Sequence, residues 1–474
     1  MDSRALTTLV AALDGAACAP SQWTALCADV LDNLRVDCAR VLGAGWIERL
    51  RAVDAEYDED SAALCSLWER SAVDRAVVVS LGQTATPASV TKLLLARLPP
   101  LRRPMRRVLD PACGSGLLIG AAARRVLAEH CRGDSSPERL AAVLSELSAA
   151  LTAYDIDDVS CVTTRLNLMC ASVPLLQRIA LSDPCMEWRL PTWTVVHGSA
   201  TDLFRGDSAA RGSGARDAAG AAFDIVLMNP PFRNKQRELG VGGTAFDFLR
   251  QPAWRAADAA APHHNLYGYF LRLALGVCRS TAAGEGEGAA QGERSHAREA
   301  SEADEAELSQ VQRASEACVV AVVLRNMFDL AKYPGDVHFH RELVASGALD
   351  SVALLDGDAF AGLPRAARHD SIGIASCVVV LRPGRRAALQ RPLRGVDAAP
   401  GDQLPPPSVS TLELRGGAWV HRHDADAGAD ADAAAARDAP ALRELGLGAL
   451  DRALRRRIGD AAMRSRWEAP TVCR

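Results

Sequence analysis

The tetrapeptide Asn229-Pro230-Pro231-Phe232 is the segment of this sequence whose residue types point most directly to chemistry. It follows the strand-like run 223–228, and two consecutive prolines cannot continue a central strand. The side-chain oxygen of Asn229 and the carbonyl of Pro230 can both accept hydrogen bonds from an aromatic amine. Such bonds orient the amine and stabilise the positive charge that develops as it takes up a methyl group. Phe232 offers a ring face on which an extruded base can stack.

A glycine-rich loop lies upstream, in the run Asp110-Pro111-Ala112-Cys113-Gly114-Ser115-Gly116. Gly114 and Gly116 let the backbone turn tightly and approach a ligand closely, and the helix predicted from residue 117 offers free N–H groups. A dinucleotide-binding turn has a similar pattern. However, Asp110 at the strand end would repel a pyrophosphate and attract a ligand that carries a sulfonium and an ammonium group.

A second acidic position follows the next strand, in Tyr154-Asp155-Ile156-Asp157. Cofactor sites of α/β proteins hold a ribose through its hydroxyls at the end of the second strand, and Asp155 is the better candidate for this role. The alternative is that Asp155 and Asp157 only cap the helix that begins near Val159.

The elements that must position these residues follow from the apolar patterning. From about residue 106, short apolar runs alternate with helical stretches, which is typical of a mostly parallel sheet wrapped by helices. Residues 1–80 have apolar positions at helical spacing. Three stretches (206–221, 281–315 and 396–440) carry few apolar residues and are predicted to be mobile insertions or a tail.

Composition excludes several classes of protein. The net charge of −4 does not by itself suggest a nucleic-acid partner. No apolar run reaches the roughly 18–20 residues of a membrane span. The thirteen cysteines form no Cys-x-x-Cys pair, so we expect a reduced intracellular compartment, the cytoplasm, and no structural metal.

Together these motifs resemble the gamma-type N6-adenine DNA methyltransferases, the family that includes the modification subunit of type I restriction systems. The family's Asp-Pro-x-x-Gly-x-Gly matches residues 110–116 in full, and its Asn-Pro-Pro-Phe/Tyr matches residues 229–232 in full. Its Thr-Pro motif matches Thr86-Pro87, upstream of the glycine loop as expected. The resemblance covers roughly residues 75–385.

This resemblance implies a doubly wound, seven-stranded class I S-adenosylmethionine-dependent methyltransferase sheet over residues 81–385. The apolar spacing predicts an N-terminal helical region over 1–80. It implies S-adenosylmethionine as cofactor and methyl transfer to the N6 amine of adenine in DNA. The implied catalytic residues are Asn229, Pro230, Pro231 and Phe232. The implied cofactor-binding residues are Thr86, Pro87, Asp110, Cys113, Gly114, Gly116, Asp155 and Ser199.

The sequence also departs from the family pattern. Thr84 and Ala85 stand where aromatic residues are usual, Ser199 where an acid is common (with Asp202 as a substitute), and Arg325 where a proline is usual. Residues 386–474 are predicted to be a low-complexity tail with no target-recognition domain. Sequence-specific recognition would then come from a specificity subunit or another partner, or be absent.

Two alternative functions remain open. The same tetrapeptide serves enzymes that methylate RNA bases or a protein glutamine amide. Alternatively, the fold is retained as a non-catalytic binding or assembly module. We find no nuclease signature and expect no restriction activity in this chain.

Overall fold

The structure is a computed structural model. It describes residues 86–99, 101, 105–130, 136–183, 191–204, 223–235, 245–260, 262–263, 265–278, 317–324, 339, 343, 348–356, 376–383, 408–415 and 418–421. The helical region expected over 1–80, the segments 206–221 and 281–315, and the departures at Thr84, Ala85 and Arg325 lie outside the described residues. The proposed division of the chain into domains stays a prediction.

A single nine-stranded sheet organises the described residues, in the order β3-β2-β1-β4-β5-β7-β6-β8-β9. The strands are β1 Val108–Asp110, β2 Leu151–Asp155, β3 Thr194–His197, β4 Ile225–Met228, β5 Cys318–Leu324, β6 Leu349–Asp356, β7 Ser376–Leu381, β8 Ser408–Arg415 and β9 Ala418–His421.

Strands β3, β2, β1, β4 and β5 are parallel, whereas β7 is antiparallel to both β5 and β6. The central strands are continuous apolar runs because helices cover both faces of such a sheet. All residues of β4 and of β7 are buried. The doubly wound, seven-stranded sheet that the sequence predicted is therefore confirmed for β1 to β7.

The sheet continues beyond this predicted set. Strand β8 pairs parallel to β6, and β9 pairs antiparallel to β8. Residues 408–415 and 418–421 form strands, so the prediction that 396–440 is mobile is wrong for these two ranges. Main-chain hydrogen bonds join β8 to β6 and β9 to β8, and the side chain of Leu412 is buried at 2% exposure, so these two strands form without a large apolar content.

The helices are α1 Ala88–Ala96, α2 Leu117–His130, α3 Pro137–Ala150, α4 Asp158–Ser182, α5 Pro252–Ala260 and α6 Leu266–Val277, with 3₁₀ turns at Ala200–Leu203 and Asp247–Arg250. Helix α2 packs against α1 and α4, and α6 packs on β5. Within the described ranges, no helix combines the length and the apolar content that crossing a membrane requires.

Candidate active site

A cleft opens at the carboxyl ends of β1, β2 and β4, which are adjacent in the sheet. This edge is where open α/β sheets bind ligands. The cleft encloses about 950 Å³, including the solvent at its mouth. Seven of the twelve predicted site residues line it: Thr86, Cys113, Gly114, Asp155, Ser199, Asn229 and Pro231. The other five (Pro87, Asp110, Gly116, Pro230 and Phe232) do not.

Gly114 and Gly116 both have positive φ angles, +53° and +81°, but they differ in their surroundings. A Cβ atom at Gly114 would meet no atom within 4 Å, whereas a Cβ at Gly116 would lie 2.6 Å from the Thr164 backbone on α4. Gly116 therefore allows the loop to pack on α4. Gly114 leaves space on the side of the loop that lines the cleft.

Asp155 connects the end of β2 to the glycine loop. Its Oδ2 accepts a hydrogen bond from the Gly114 amide at 2.9 Å, and its Oδ1 accepts one from the Asp157 amide at 3.0 Å. Burial raises the pKa of Asp155 to about 6. The helix-capping alternative applies to Asp157, whose Oδ2 accepts from the Ser160 amide at 2.8 Å. Asp155 faces the cleft instead.

Asp110 lies beneath the loop and is fully buried. Its Oδ1 accepts a hydrogen bond from the Ala112 amide at 3.2 Å. Burial raises the pKa of Asp110 to about 8, so its carboxyl group is mostly protonated at neutral pH. Its expected contact with a cationic ligand stays a prediction, but the supporting argument from charge does not hold for this side chain.

Asn229 follows β4 directly, and its side chain is oriented by the segment before α1. Its Nδ2 donates a hydrogen bond to Thr86 Oγ1 at 3.0 Å, between two buried residues that are 143 positions apart. Because the nitrogen of the amide faces Thr86, the oxygen Oδ1 is the atom that can accept from an amine. The Thr-Pro segment and the Asn-Pro-Pro-Phe segment thus meet in one cleft.

Phe232 differs from the expectation of an available ring face. Its side chain is 7% exposed and packs edge-to-face with Tyr267, at 6.4 Å between ring centroids. The aromatic rings that line the cleft are those of Phe248 and Phe270. In this arrangement, stacking of a base on Phe232 would require the ring to move.

Ser199 begins the 3₁₀ turn Ala200–Leu203 and lies in the cleft wall. Its Oγ is 2.6 Å from Thr201 Oγ1. Asp202, the substitute that the sequence offered, does not line the cleft and accepts a hydrogen bond from Gln251 at 2.8 Å. Of these two candidates, Ser199 has the better position.

Sequence reasoning missed several residues that line the cleft: Ile156, Ala245, Phe248, Leu266 and Phe270. Ile156 directly follows the acid that ends β2, but its 49% exposure is visible only in the structure. The others belong to apolar patterns that also describe a helix packed in a core. Among the described residues, no group of three or more His, Cys, Asp or Glu side chains could hold a metal ion.

No protein-family model matches the sequence, and no curated protein is similar to it in sequence. Solved structures share a distant likeness. The DrdV–DNA complex is 15% identical over 75% of this chain, with a TM-score of 0.43. The type I restriction-modification system methyltransferase subunit from Streptococcus thermophilus is 14% identical over 70% of this chain, with a TM-score of 0.38. The EcoKI M protein, from a type I restriction enzyme, is 14% identical over 75% of it, with a TM-score of 0.32.

This chain covers 30%, 47% and 51% of those three chains, respectively. At TM-scores below 0.5, the likeness supports no conclusion about activity.

Proposed function

We propose that this chain transfers a methyl group from S-adenosylmethionine to the N6 amine of adenine in DNA. The observation that carries the proposal is the hydrogen bond from Asn229 Nδ2 to Thr86 Oγ1, in the same cleft as Gly114 and Asp155. This hydrogen bond occupies the amide nitrogen of Asn229 and leaves the oxygen Oδ1 to accept a hydrogen bond from an amine. Under this proposal, a methyl-donor site and an amine-holding site share one cavity.

The residues of the cleft fit the cofactor in their chemistry. The carboxylate of Asp155 can accept hydrogen bonds from ribose hydroxyls in addition to those it receives from Gly114 and Asp157. The half-exposed side chain of Ile156 and the ring of Phe270 offer apolar surface for a planar base. Because Gly114 has no side chain, the space beside it stays open for a ligand. When bound, S-adenosylmethionine supplies an electrophilic methyl group.

The chain's own part in catalysis is orientation and charge stabilisation. Asn229 Oδ1 and the carbonyl of Pro230 would accept the two N–H groups of the target amine. Because the amine gains positive charge as its nitrogen takes the methyl group, these acceptors stabilise the transition state more than the ground state. The prolines at 230 and 231 restrict the backbone that presents them.

Adenine in DNA is the substrate that the motifs favour, through the upstream Thr86-Pro87 and the order of the segments. The cleft adds the apolar wall formed by Ala245, Phe248 and Leu266, which suits a planar ring better than a flexible amide chain. Recognition of a target sequence would be supplied by a specificity subunit or another partner, in the cytoplasm.

Tritium transfer from labelled S-adenosylmethionine tests the proposal, with DNA, RNA and protein offered in parallel. We expect label in DNA, recovered as N6-methyladenine after digestion. Label only in RNA, or only in protein glutamine, would show that the substrate is wrong and that the methyl-transfer chemistry is right. Cofactor binding without transfer to any of the three would favour a non-catalytic module.

A further inference from the structure

Residues 245–260, which we call the bracing segment, contact the loops on both sides of the cleft. The side that faces the Ser199 turn is held by Trp254 and Gln251. Trp254 Nε1 donates a hydrogen bond to the Thr201 carbonyl at 2.9 Å, and its ring stacks on Phe204 at 4.0 Å. Gln251 Nε2 donates to Asp202 at 2.8 Å. The bracing segment is therefore joined to the loop that follows β3.

The other contact of the bracing segment reaches the Asn-Pro-Pro-Phe loop. Lys235, three residues after Phe232, donates from Nζ to both carboxylate oxygens of Asp258 on α5, each at 2.7 Å. Lys235 Nζ also donates to the hydroxyl of Tyr269 on α6 at 3.0 Å, and that hydroxyl donates to Asp258. One ammonium group thus joins the loop to two helices.

Position 235 carries a lysine, although the basic residues of this chain are almost all arginine. The chain has 54 basic residues, of which only Lys92, Lys235 and Lys332 are lysines. A compact ammonium group can contact three oxygens of different geometry at once, whereas the planar guanidinium of arginine suits a single carboxylate. The pair is also mostly buried, with 18% of the Lys235 side chain and 23% of the Asp258 side chain exposed. Solvent therefore screens it less than an ion pair on the surface.

The first residues of the bracing segment form part of the cleft wall. Ala245 and Phe248 line the cleft. Phe248 packs edge-to-face on Trp254 at 5.0 Å and on Tyr269 at 5.4 Å between ring centroids. A shift of this segment would therefore change the wall and the position of the Asn-Pro-Pro-Phe loop together.

We propose that the ion pair between Lys235 and Asp258 positions the Asn229–Phe232 loop for the reaction, with Tyr269 as the hydroxyl that completes it. These are positioning residues, because they act through the loop and do not line the cleft. The inference rests on the proposed function, since it concerns the same active site. A displacement of about 1 Å in such a site can lower the rate on the order of 100-fold.

The test compares Asp258→Asn and Lys235→Met with the parent chain in steady-state methyl transfer to DNA. We expect kcat to fall roughly tenfold or more, while the cofactor Kd and the KM for DNA stay within about twofold. Because the two residues act as a unit, the double variant should be no slower than the slower single variant. Asp247→Asn is the matched control, since it breaks an exposed ion pair with Arg250 within the same segment and should leave kcat unchanged.

If either single variant folds poorly, Tyr269→Phe removes one hydroxyl and keeps the ring. A parental kcat in Asp258→Asn and Tyr269→Phe would overturn the inference. Amide hydrogen exchange provides a readout that does not depend on activity. We expect faster exchange at residues 232–235 in Asp258→Asn than in Asp247→Asn. If the parent methylates nothing, the proposed function fails, and equal exchange in these two variants would then overturn the positioning role as well.

Discussion

At the scale of single residues, Asn229 and Thr86 show how two motifs that are distant in the sequence form one hydrogen-bonded pair. The amide of Asn229 alone could present either its nitrogen or its oxygen to a substrate. In the structure the nitrogen Nδ2 donates to Thr86 Oγ1, and the oxygen Oδ1 is left as the acceptor for a substrate. Orientation of the amide is therefore a property of the pair.

Replacing Asn229 with alanine should remove most of the methyl transfer while cofactor binding stays nearly intact. The lost acceptor contributes mainly in the transition state, so the rate should fall by about 10²–10³. Single-turnover transfer measures the rate, and calorimetry measures the cofactor Kd. Thr86→Ser is the matched control, since it keeps the hydroxyl and should retain most of the rate. A parental rate in Asn229→Ala would refute the proposed mechanism.

Gly114 provides a second prediction at this scale. Valine at this position would project its side chain into space that no protein atom occupies, on the loop that lines the cleft. We expect Gly114→Val to lower S-adenosylmethionine affinity by at least about 100-fold, with a modest loss of stability from the left-handed φ of +53°. Gly276→Ala, on α6 with ordinary contact to Phe204, should bind normally in the same calorimetric assay. Unchanged affinity in Gly114→Val would remove this loop from the cofactor site.

At the scale of elements, the carboxyl ends of β1, β2 and β4 bring the glycine loop, Asp155 and Asn229 to one edge of the sheet. The hairpin of β8 and β9 lies at the other end of the strand order and contributes no residue that lines the cleft. Its role in the described structure is to cover the outer edge of β6. An unpaired edge strand would expose main-chain hydrogen-bonding groups.

Leu412 tests whether this hairpin stabilises the whole sheet. It is buried at 2% exposure, and its replacement by alanine would leave a cavity, at a cost of roughly 2–4 kcal/mol. We expect the urea midpoint of global unfolding to fall, measured by circular dichroism. Ser410→Ala, two residues earlier on the same strand, should have little effect. A parental midpoint in Leu412→Ala would mean that the hairpin unfolds independently of the sheet.

At the scale of the whole molecule, two buried carboxyl groups couple stability to pH. Burial raises the pKa of Asp110 to about 8 and that of Asp155 to about 6, whereas an aspartate in the unfolded chain titrates near 4. Between about pH 4 and pH 8, the native state therefore binds more protons than the unfolded state. The free energy of unfolding should fall as the pH rises through this range.

Asp110→Asn should flatten that dependence between pH 6 and pH 8. The neutral amide cannot ionise, so the variant loses a slope of at most about 1.4 kcal/mol per pH unit. Urea unfolding at a series of pH values measures the slope. Leu412→Ala is the control, because it should lower the free energy of unfolding at every pH without changing the slope. Identical slopes in the parent and in Asp110→Asn would show that Asp110 does not titrate in this range.

Much of the fold follows from local pattern. Continuous runs of valine and leucine predict the buried strands β4, β5 and β7, and the order of the motifs predicts the class I sheet. Strand β6 was not identified, because Asp350 and Ser351 interrupt its apolar run. Strands β8 and β9 were missed because the main-chain pairing of β8 with β6, and of β9 with β8, does not depend on composition.

The sequence alone determined which short segments could do chemistry, since a proline pair and closely spaced glycines restrict or free the backbone at their own positions. Only the tertiary structure decided which side chains face the cleft. It buried Asp110 and Phe232, exposed Ile156, and paired Lys235 with Asp258 across 23 positions. Burial and ion pairing depend on atoms that are distant in the chain, so no local pattern contains them. For Phe232 and Lys235, helices α5 and α6 supply those atoms.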